Sequence, residues 1–220
     1  MFKSFIPEYY GSSLVDVKGT EVKFILLKDM TNGFREPCIM DVKIGKQTWE
    51  PGASSEKEQS ERIKYSESKS TLSFCIPGFQ VYNVNSKKYS KFGKDYGKQL
   101  NATGVYEALK LFFNHESGAS KYILPLVIKH LKTVSDWFKK QRIFHIYSSS
   151  ILIAYDAAVL QQLNVPDIES HADNQLGQKP WYCVTLIDFA HIVPANGELD
   201  FNYITGIDSL INVLGNIQSS

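Results

Sequence analysis

The stretch PCIMDVKIGKQTW, Pro37–Trp49, decides how this chain is read. Apolar and polar side chains alternate through it, and on a β-strand successive side chains point to opposite faces. Met40, Val42 and Ile44 then share one face, while Asp41, Lys43 and the Gly45 position share the other. The first face suits a core. The second sets a carboxylate beside an ammonium, which alternation alone describes equally well as a surface ion pair or as a reactive face.

Working outward from this strand, EVKFILLKDM (Glu21–Met30) has the β-branched and aromatic content of another strand, closed by the turn signal TNG. Downstream, residues 50–70 are polar throughout. Their middle, Ser54–Tyr65, predicts a short exposed helix with Ser54 or Ser55 as N-cap. TLSFCIPGFQVYNV (Thr71–Val84) reads as two strand-like runs divided by Pro77-Gly78, and residues 87–100 as a basic connector. Helical spacing of apolar residues predicts helices over Thr103–His115, capped by Thr103, and over Lys121–Gln141, with Pro125 in its first turn. RIFHIYSSSILIAYD and WYCVTLIDFAHIV are strand candidates that could pair, separated by the polar residues 165–180, and a final helix is expected from about Gly206. The predicted class is α+β.

Composition narrows the functional classes. With 220 residues, 43% hydrophobic and 21% charged, the chain can bury a sizeable core. A formal net charge of +1 gives no global field for nucleic acid or membrane, so an anionic ligand needs a local cation cluster. The three cysteines, Cys38, Cys75 and Cys183, lack metal-type spacing and fit buried apolar residues in a reducing compartment. No apolar run has membrane-span length, and the start has no secretory pattern, so a cytoplasmic or also nuclear location is expected.

Three aspartates stand at costly places. Asp29 ends an apolar strand, Asp41 lies within one, and Asp188 directly follows CVTLI. A carboxylate there needs a cation, a metal or hydrogen-bond donors. Mg²⁺ sites commonly take one or two such carboxylates together with substrate phosphates. His191 lies close to Asp188 in sequence. The serine run Ser148–Ser150 lacks a nucleophile-elbow pattern, and no Walker-type loop is present.

Taken together, these segments resemble a known family. PCIMDVKIG carries the P-x-x-x-D-x-K-x-G signature of the inositol polyphosphate kinases, with Pro37, Asp41, Lys43 and Gly45 in place. SSIL, at Ser149 to Leu152, resembles the family's S-S-L-L segment, and IDFAH, Ile187–His191, its metal-binding stretch. FIPEYYG, LLKD, SSEK, GFQVYN and YGKQL follow in the family's order, so the resemblance spans nearly the whole chain.

That resemblance implies a two-lobed, protein-kinase-like fold with an incomplete N-lobe. Residues 1–33 would form a partial N-lobe and hinge. Residues 34–220 would form a C-lobe holding the signature strand, an inositol-phosphate-binding segment near 52–68 and the IDF strand. It further implies ATP as co-substrate and Mg²⁺ as cofactor. Lys28 and Met30 would offer hinge backbone groups to adenine, Asp29 would bind the ribose, and Asp188 would ligate Mg²⁺. Asp41 would orient or deprotonate the acceptor, Lys43 would hold the transferring phosphoryl group, and Ser149 would fix the constellation by hydrogen bonding. Lys57, Lys64 and His191 would meet the inositol phosphate, with Arg62 and Lys98 as weaker candidates. Lys57 and Lys64 would share a face if their segment is helical.

Two features depart from the family pattern. The lysine-bearing hairpin expected before FIPEYYG is not in the chain, and Lys3 and Lys18 do not stand in its context. Either a further segment precedes these residues or ATP is held more weakly. The hinge also reads LLKD where an acidic residue often precedes the aspartate. GFQVYN with KDYGKQL is most like the hexakisphosphate kinases; SSEKEQSERIKY is equally like a multikinase. The expected activity is therefore conversion of inositol hexakisphosphate to a diphosphoinositol polyphosphate. The alternatives are a multikinase or trisphosphate 3-kinase acting on a ring hydroxyl, or a non-catalytic inositol-phosphate-binding module. The expected protein is a monomer whose partners are inositol polyphosphate and ATP, with no nucleic acid and no membrane.

Overall fold

The computed structural model describes residues 2–163 and 180–220. After a short turn of 3-10 helix at Phe2–Phe5, strands β1 (Tyr9–Val17) and β2 (Thr20–Leu27) form an antiparallel hairpin. Strand β3 (Pro37–Ile44) follows, then helices α1 (Ser55–Ile63) and α2 (Ser66–Leu72). Strands β4 (Phe74–Asn83) and β5 (Lys88–Phe92) lead to α3 (Lys94–Gly97), α4 (Ala102–Phe112) and α5 (Ser120–Phe138). Next come β6 (Phe144–Tyr147), β7 (Ser150–Asp156) and the single turn α6 (Ala157–Leu160). Strands β8 (Tyr182–Ile187) and β9 (His191–Pro194) and helix α7 (Phe201–Ser219) complete the described elements.

Five strands make an antiparallel sheet in the order β5-β4-β3-β7-β8, which puts the signature strand β3 at its centre. The alternation expected of β3 is present: Cys38, Met40, Val42 and Ile44 are fully buried, and the residues between them are half-buried. The core beneath is filled by α4, α5 and α7, with Phe138 stacked on Tyr203 at 4.3 Å. Burying one large aliphatic or aromatic side chain contributes roughly 1.5–3 kcal/mol, so this layer anchors the sheet.

Several expectations need correction. β4 is one strand through Pro77 and Gly78, because its register against β3 shifts between Asp41 and Lys43. A bulge there absorbs the proline, which has no N–H to give the ladder. The basic connector contains β5 and α3, and the serine-rich 66–72 segment is helical. α4 is capped by Asn101, whose side chain accepts from the Gly104 N–H, rather than by Thr103. Pro125 falls past the first turn of α5, and α7 starts well before Gly206, where Asp200 accepts from the Tyr203 N–H. The two late strand candidates do pair, as β7 with β8 and β6 with β9. The polar residues 165–179 lie outside the described residues.

Candidate active site

A cleft of about 740 Å³ lies between the hairpin and the central sheet. Tyr9, Ile25 and Leu27 of the hairpin form its roof, and Ile187 to His191 its floor. Lys43 and Ser148 close the back. Ile6 also lines a second cavity of about 200 Å³, shared with Met30, His130, Cys183 and Thr185. The two spaces therefore adjoin across one side chain. The N-terminal segment is held there by the Thr185 hydroxyl, which donates to the Phe5 carbonyl at 2.9 Å, and by Phe2 stacked on Trp137.

Of the polar face of β3, Lys43 lines this cleft, whereas Asp41 stands beside it on the strand and does not. The Lys43 ammonium donates to both the carbonyl and the hydroxyl of Ser148, each at 2.9 Å. Ser148 and Asp188 both adopt positive φ, 56° and 63°, conformations uncommon outside glycine that cost about 1–3 kcal/mol each. Asp188 is exposed at the floor and makes no hydrogen bond or ion pair among the described residues, so its carboxylate is free to take a cation.

Asp41 lies on the same face as Lys43, half-buried, and one buried carboxylate oxygen has no hydrogen-bond partner. Burial pushes its carboxyl above the ordinary range, and the negative charge of Asp188 adds to this. The Ser150 hydroxyl, the Lys43 ammonium and the Lys94 ammonium pull the other way. Ser150 stands beside the carboxylate without a hydrogen bond of good geometry, since its own oxygen is also unpartnered.

Ser149 is fully buried and ties three elements together. Its hydroxyl donates to the Ile187 carbonyl at 2.8 Å and lies 3.3 Å from the Tyr203 hydroxyl, while its carbonyl accepts from Ile44 N–H. Gly45 is required where it stands. Its φ is +98°, and a Cβ would meet the Asn202 side chain at 2.3 Å.

Beyond β2, the Lys28 N–H is already committed to the Glu8 carbonyl at 2.8 Å, leaving only its own carbonyl for a ligand. Asp29 accepts from the Thr31 amide and hydroxyl at 2.8 Å each, and these bonds hold its carboxyl below the ordinary range. Met30 lines the smaller cavity rather than the main cleft.

At the other end of the cleft, His191 Nδ1 sits 3.3 Å from Glu50, and the Lys57 ammonium bridges both Glu50 oxygens at 2.9 Å. Lys57 is in the first turn of α1, which Ser54 caps as expected. Lys64 is the extended C-cap residue of that helix, paired with Glu61 at 2.7 Å, so the two-turn geometry does not carry through to it. The helix breaks there because Tyr65 takes positive φ and starts α2. Arg62 lies over the Trp49 ring at 4.7 Å, and Lys98 pairs with Asp95; like Lys57 and Lys64, neither lines the cleft.

Sequence reasoning passed over Glu50, Ser148 and Ser150. Glu50 stands in a stretch that reads as a polar turn, and its partner His191 is distant in sequence. The Ser148 contact depends on a backbone conformation that carries no sequence mark. The cysteines behave as expected of inert thiols: burial pushes Cys38 up to about 11 and Cys75 to about 12. Among the described residues no cluster of three ligating side chains exists, and no helix is long and apolar enough to cross a membrane.

This cleft sets an exposed aspartate at its floor and a lysine at its back, the kinds of group that phosphoryl transfer uses for a metal ion and for the transferring oxygens. Residues 24–215 match the inositol polyphosphate kinase family model, and the chain belongs to that family of ATP-using phosphotransferases. Inositol polyphosphate multikinase beta of Arabidopsis thaliana is 28% identical over 98% of this chain and 74% of its own length. The human inositol polyphosphate multikinase is 31% identical over 71% of this chain, which spans only 37% of that protein. Human inositol hexakisphosphate kinase 2 is 31% identical over 90% of this chain and 52% of its own length. A solved inositol phosphate multikinase superposes with a TM-score of 0.74 at 26% identity, covering 98% of this chain and 90% of that one. The S. cerevisiae inositol phosphate multikinase with ADP and Mn²⁺ shares the fold at a TM-score of 0.76 and 22% identity, covering 98% of this chain and 89% of that one.

Proposed function

We propose that the chain transfers the γ-phosphoryl group of ATP to a ring hydroxyl of an inositol polyphosphate. The observation that carries this reading is Asp41: a half-buried side chain with one buried, unpartnered carboxylate oxygen and a raised proton affinity, set beside Lys43. A phosphate-oxygen nucleophile is already ionised and hardly needs a base, whereas a hydroxyl does. The sequence-based expectation of a hexakisphosphate kinase thus becomes the second reading, supported by the identity to human inositol hexakisphosphate kinase 2 over most of the chain.

In this scheme residues 1–33 act as the N-lobe part and hinge, and residues 34–220 as the C-lobe. The nucleotide base occupies the smaller cavity near Met30, with the Lys28 carbonyl as acceptor and Asp29 near the ribose. Its phosphates then extend past Ile6 towards Asp188 and Lys43. Asp188 fits a divalent cation, because it is exposed at the cleft floor and has no hydrogen-bond or ion-pair partner among the described residues. Mg²⁺ held there would neutralise charge on the phosphates. With no cluster of ligating side chains among the described residues, the remaining ligands would come from the nucleotide and water.

Asp41 accepts the hydroxyl proton as the acceptor oxygen bonds to the γ-phosphorus. The bond from that phosphorus to the bridging oxygen breaks, and ADP leaves. Lys43 stabilises charge on the transferring group, exchanging its Ser148 contacts for phosphoryl oxygens. Positioning and charge neutralisation carry most of such catalysis. Ser149 keeps β3, β8 and α7 in register, while Lys57, Lys64 and His191 bind the inositol phosphate.

Phosphorus NMR of products from Mg-ATP and a panel of inositol phosphates tests this. New monoester signals from the lower phosphates are expected. A pyrophosphate resonance from the hexakisphosphate would favour the second reading. Inositol phosphate binding with no product and no nucleotide binding would leave a binding module.

A further inference from the structure

Glu50 has no role in the scheme above, yet it joins two of the groups that scheme assigns to the substrate. Its carboxylate takes the Lys57 ammonium on both oxygens at 2.9 Å and the His191 ring at 3.3 Å. The three groups come from the loop after β3, the first turn of α1 and the start of β9. His191 also lines the cleft beside Asp188 and Lys43. None of the three is sealed in the core: the side chains of Glu50, Lys57 and His191 are 25%, 36% and 35% exposed. The cluster is therefore an open polar wall that meets the end of the cleft through His191, the member that lines it.

With a neutral imidazole the wall carries no net charge, because the carboxylate cancels the lysine. That is an unexpected arrangement for meeting a polyanion, which gains most from uncompensated cations. A phosphate approaching Lys57 and His191 also comes close to the Glu50 carboxylate that both of them contact, and like charges at that range repel. A substrate hydroxyl meets no such opposition. It can donate to a Glu50 oxygen, which as a charged acceptor makes the stronger kind of hydrogen bond.

We infer that Glu50 is a specificity-determining residue that favours inositol phosphates presenting a hydroxyl, rather than a phosphate, to the Lys57–His191 wall. The inference rests on the functional reading above and names the substrate class within it: partly phosphorylated inositols over the hexakisphosphate. Selectivity by a repulsive element against the wrong ligand is a general device.

The test compares wild type with Glu50→Gln, which keeps shape and one acceptor oxygen but removes the charge. The relative kcat/KM for inositol hexakisphosphate against an inositol trisphosphate is measured with Mg-ATP, and binding of each is measured by calorimetry without nucleotide. Glu50→Gln is expected to shift the ratio of affinities about tenfold towards the hexakisphosphate, equivalent to about 1.4 kcal/mol. Glu50→Asp is expected to restore the wild-type preference. If Glu50→Gln weakens both ligands equally, or leaves the ratio unchanged, Glu50 is only a brace for α1 and the inference fails alone. If wild type binds neither ligand, the functional reading fails and takes this inference with it.

Discussion

The two walls of the cleft are built to opposite standards. On the side of the central sheet, β3 buries Cys38, Met40, Val42 and Ile44 completely and is bonded to a strand on each side. On the roof side, the β1–β2 hairpin has no buried residue: Leu14 is 61% exposed, Ile25 65% and Phe24 44%. Both are antiparallel pairs rich in β-branched residues, so propensity does not separate them. What separates them is the layer behind. α7 packs so closely under β3 that a Cβ at Gly206 would meet the Ile44 side chain at 2.8 Å, while the hairpin has no layer behind it among the described residues. The groups that need sub-ångström placement, Asp41 and Lys43, stand on the wall that has backing. The roof contributes apolar cover to the cleft.

The contrast is sharpest for substitutions that remove a cleft charge without touching the core. Asp188→Asn should lower turnover by about 10²–10³ or more, as for loss of one strong electrostatic stabiliser, with the melting temperature little changed. An equal loss of stability would mean that Asp188 is structural. Next in size is the core beneath. Met40→Ala should cost about 2–5 kcal/mol in denaturant unfolding, whereas Val22→Ala on the roof should stay within about 0.5 kcal/mol. Similar costs at the two sites would erase the distinction between walls. Amide hydrogen exchange should follow the same division, with slow exchange in β3 and β7 and fast exchange in the hairpin.

A smaller effect comes from pH. The Asp41 carboxyl is raised in the fold, so protons bind it more tightly there than in the unfolded chain. Its contribution to stability is full below the unfolded carboxyl value and lost as pH rises through the raised value. Its service as a base has the opposite sign, and activity should fall as pH drops through that same raised value. The acid limb of kcat/KM should therefore lie above the ordinary aspartate range. A limb within that range would assign the base elsewhere. The smallest expected change is Ser148→Ala, which removes one of two acceptors from Lys43 and should lower kcat a few-fold, about 1 kcal/mol.

The contrast also explains what the sequence made legible. Strand β3 and helix α5 declare themselves because a buried face repeats at the period of the element. Helix α2 does not, since its seven residues have almost no apolar side chain. It is held instead by Lys69, buried and donating to the Glu61 carbonyl at 2.6 Å and the Thr48 hydroxyl at 3.2 Å. Strand β4 was hidden by Pro77, whose bulge can be seen only once β3 lies alongside. The positions of Asp41, Lys43 and Asp188 were readable from a signature and from the cost of a carboxylate at an apolar strand. Glu50 was not, because its meaning lies in two partners that the fold brings to it.

The most direct test of the whole account is the turnover of Asp41→Asn with an inositol trisphosphate and Mg-ATP, read beside its melting temperature. Loss of a general base should lower kcat by about 10²–10⁴. The melting temperature should hold or rise, because a buried, underpaired carboxylate no longer has to be kept charged. Turnover within a few-fold of wild type, with a lower melting temperature, would contradict the account and make the polar face of this strand structural.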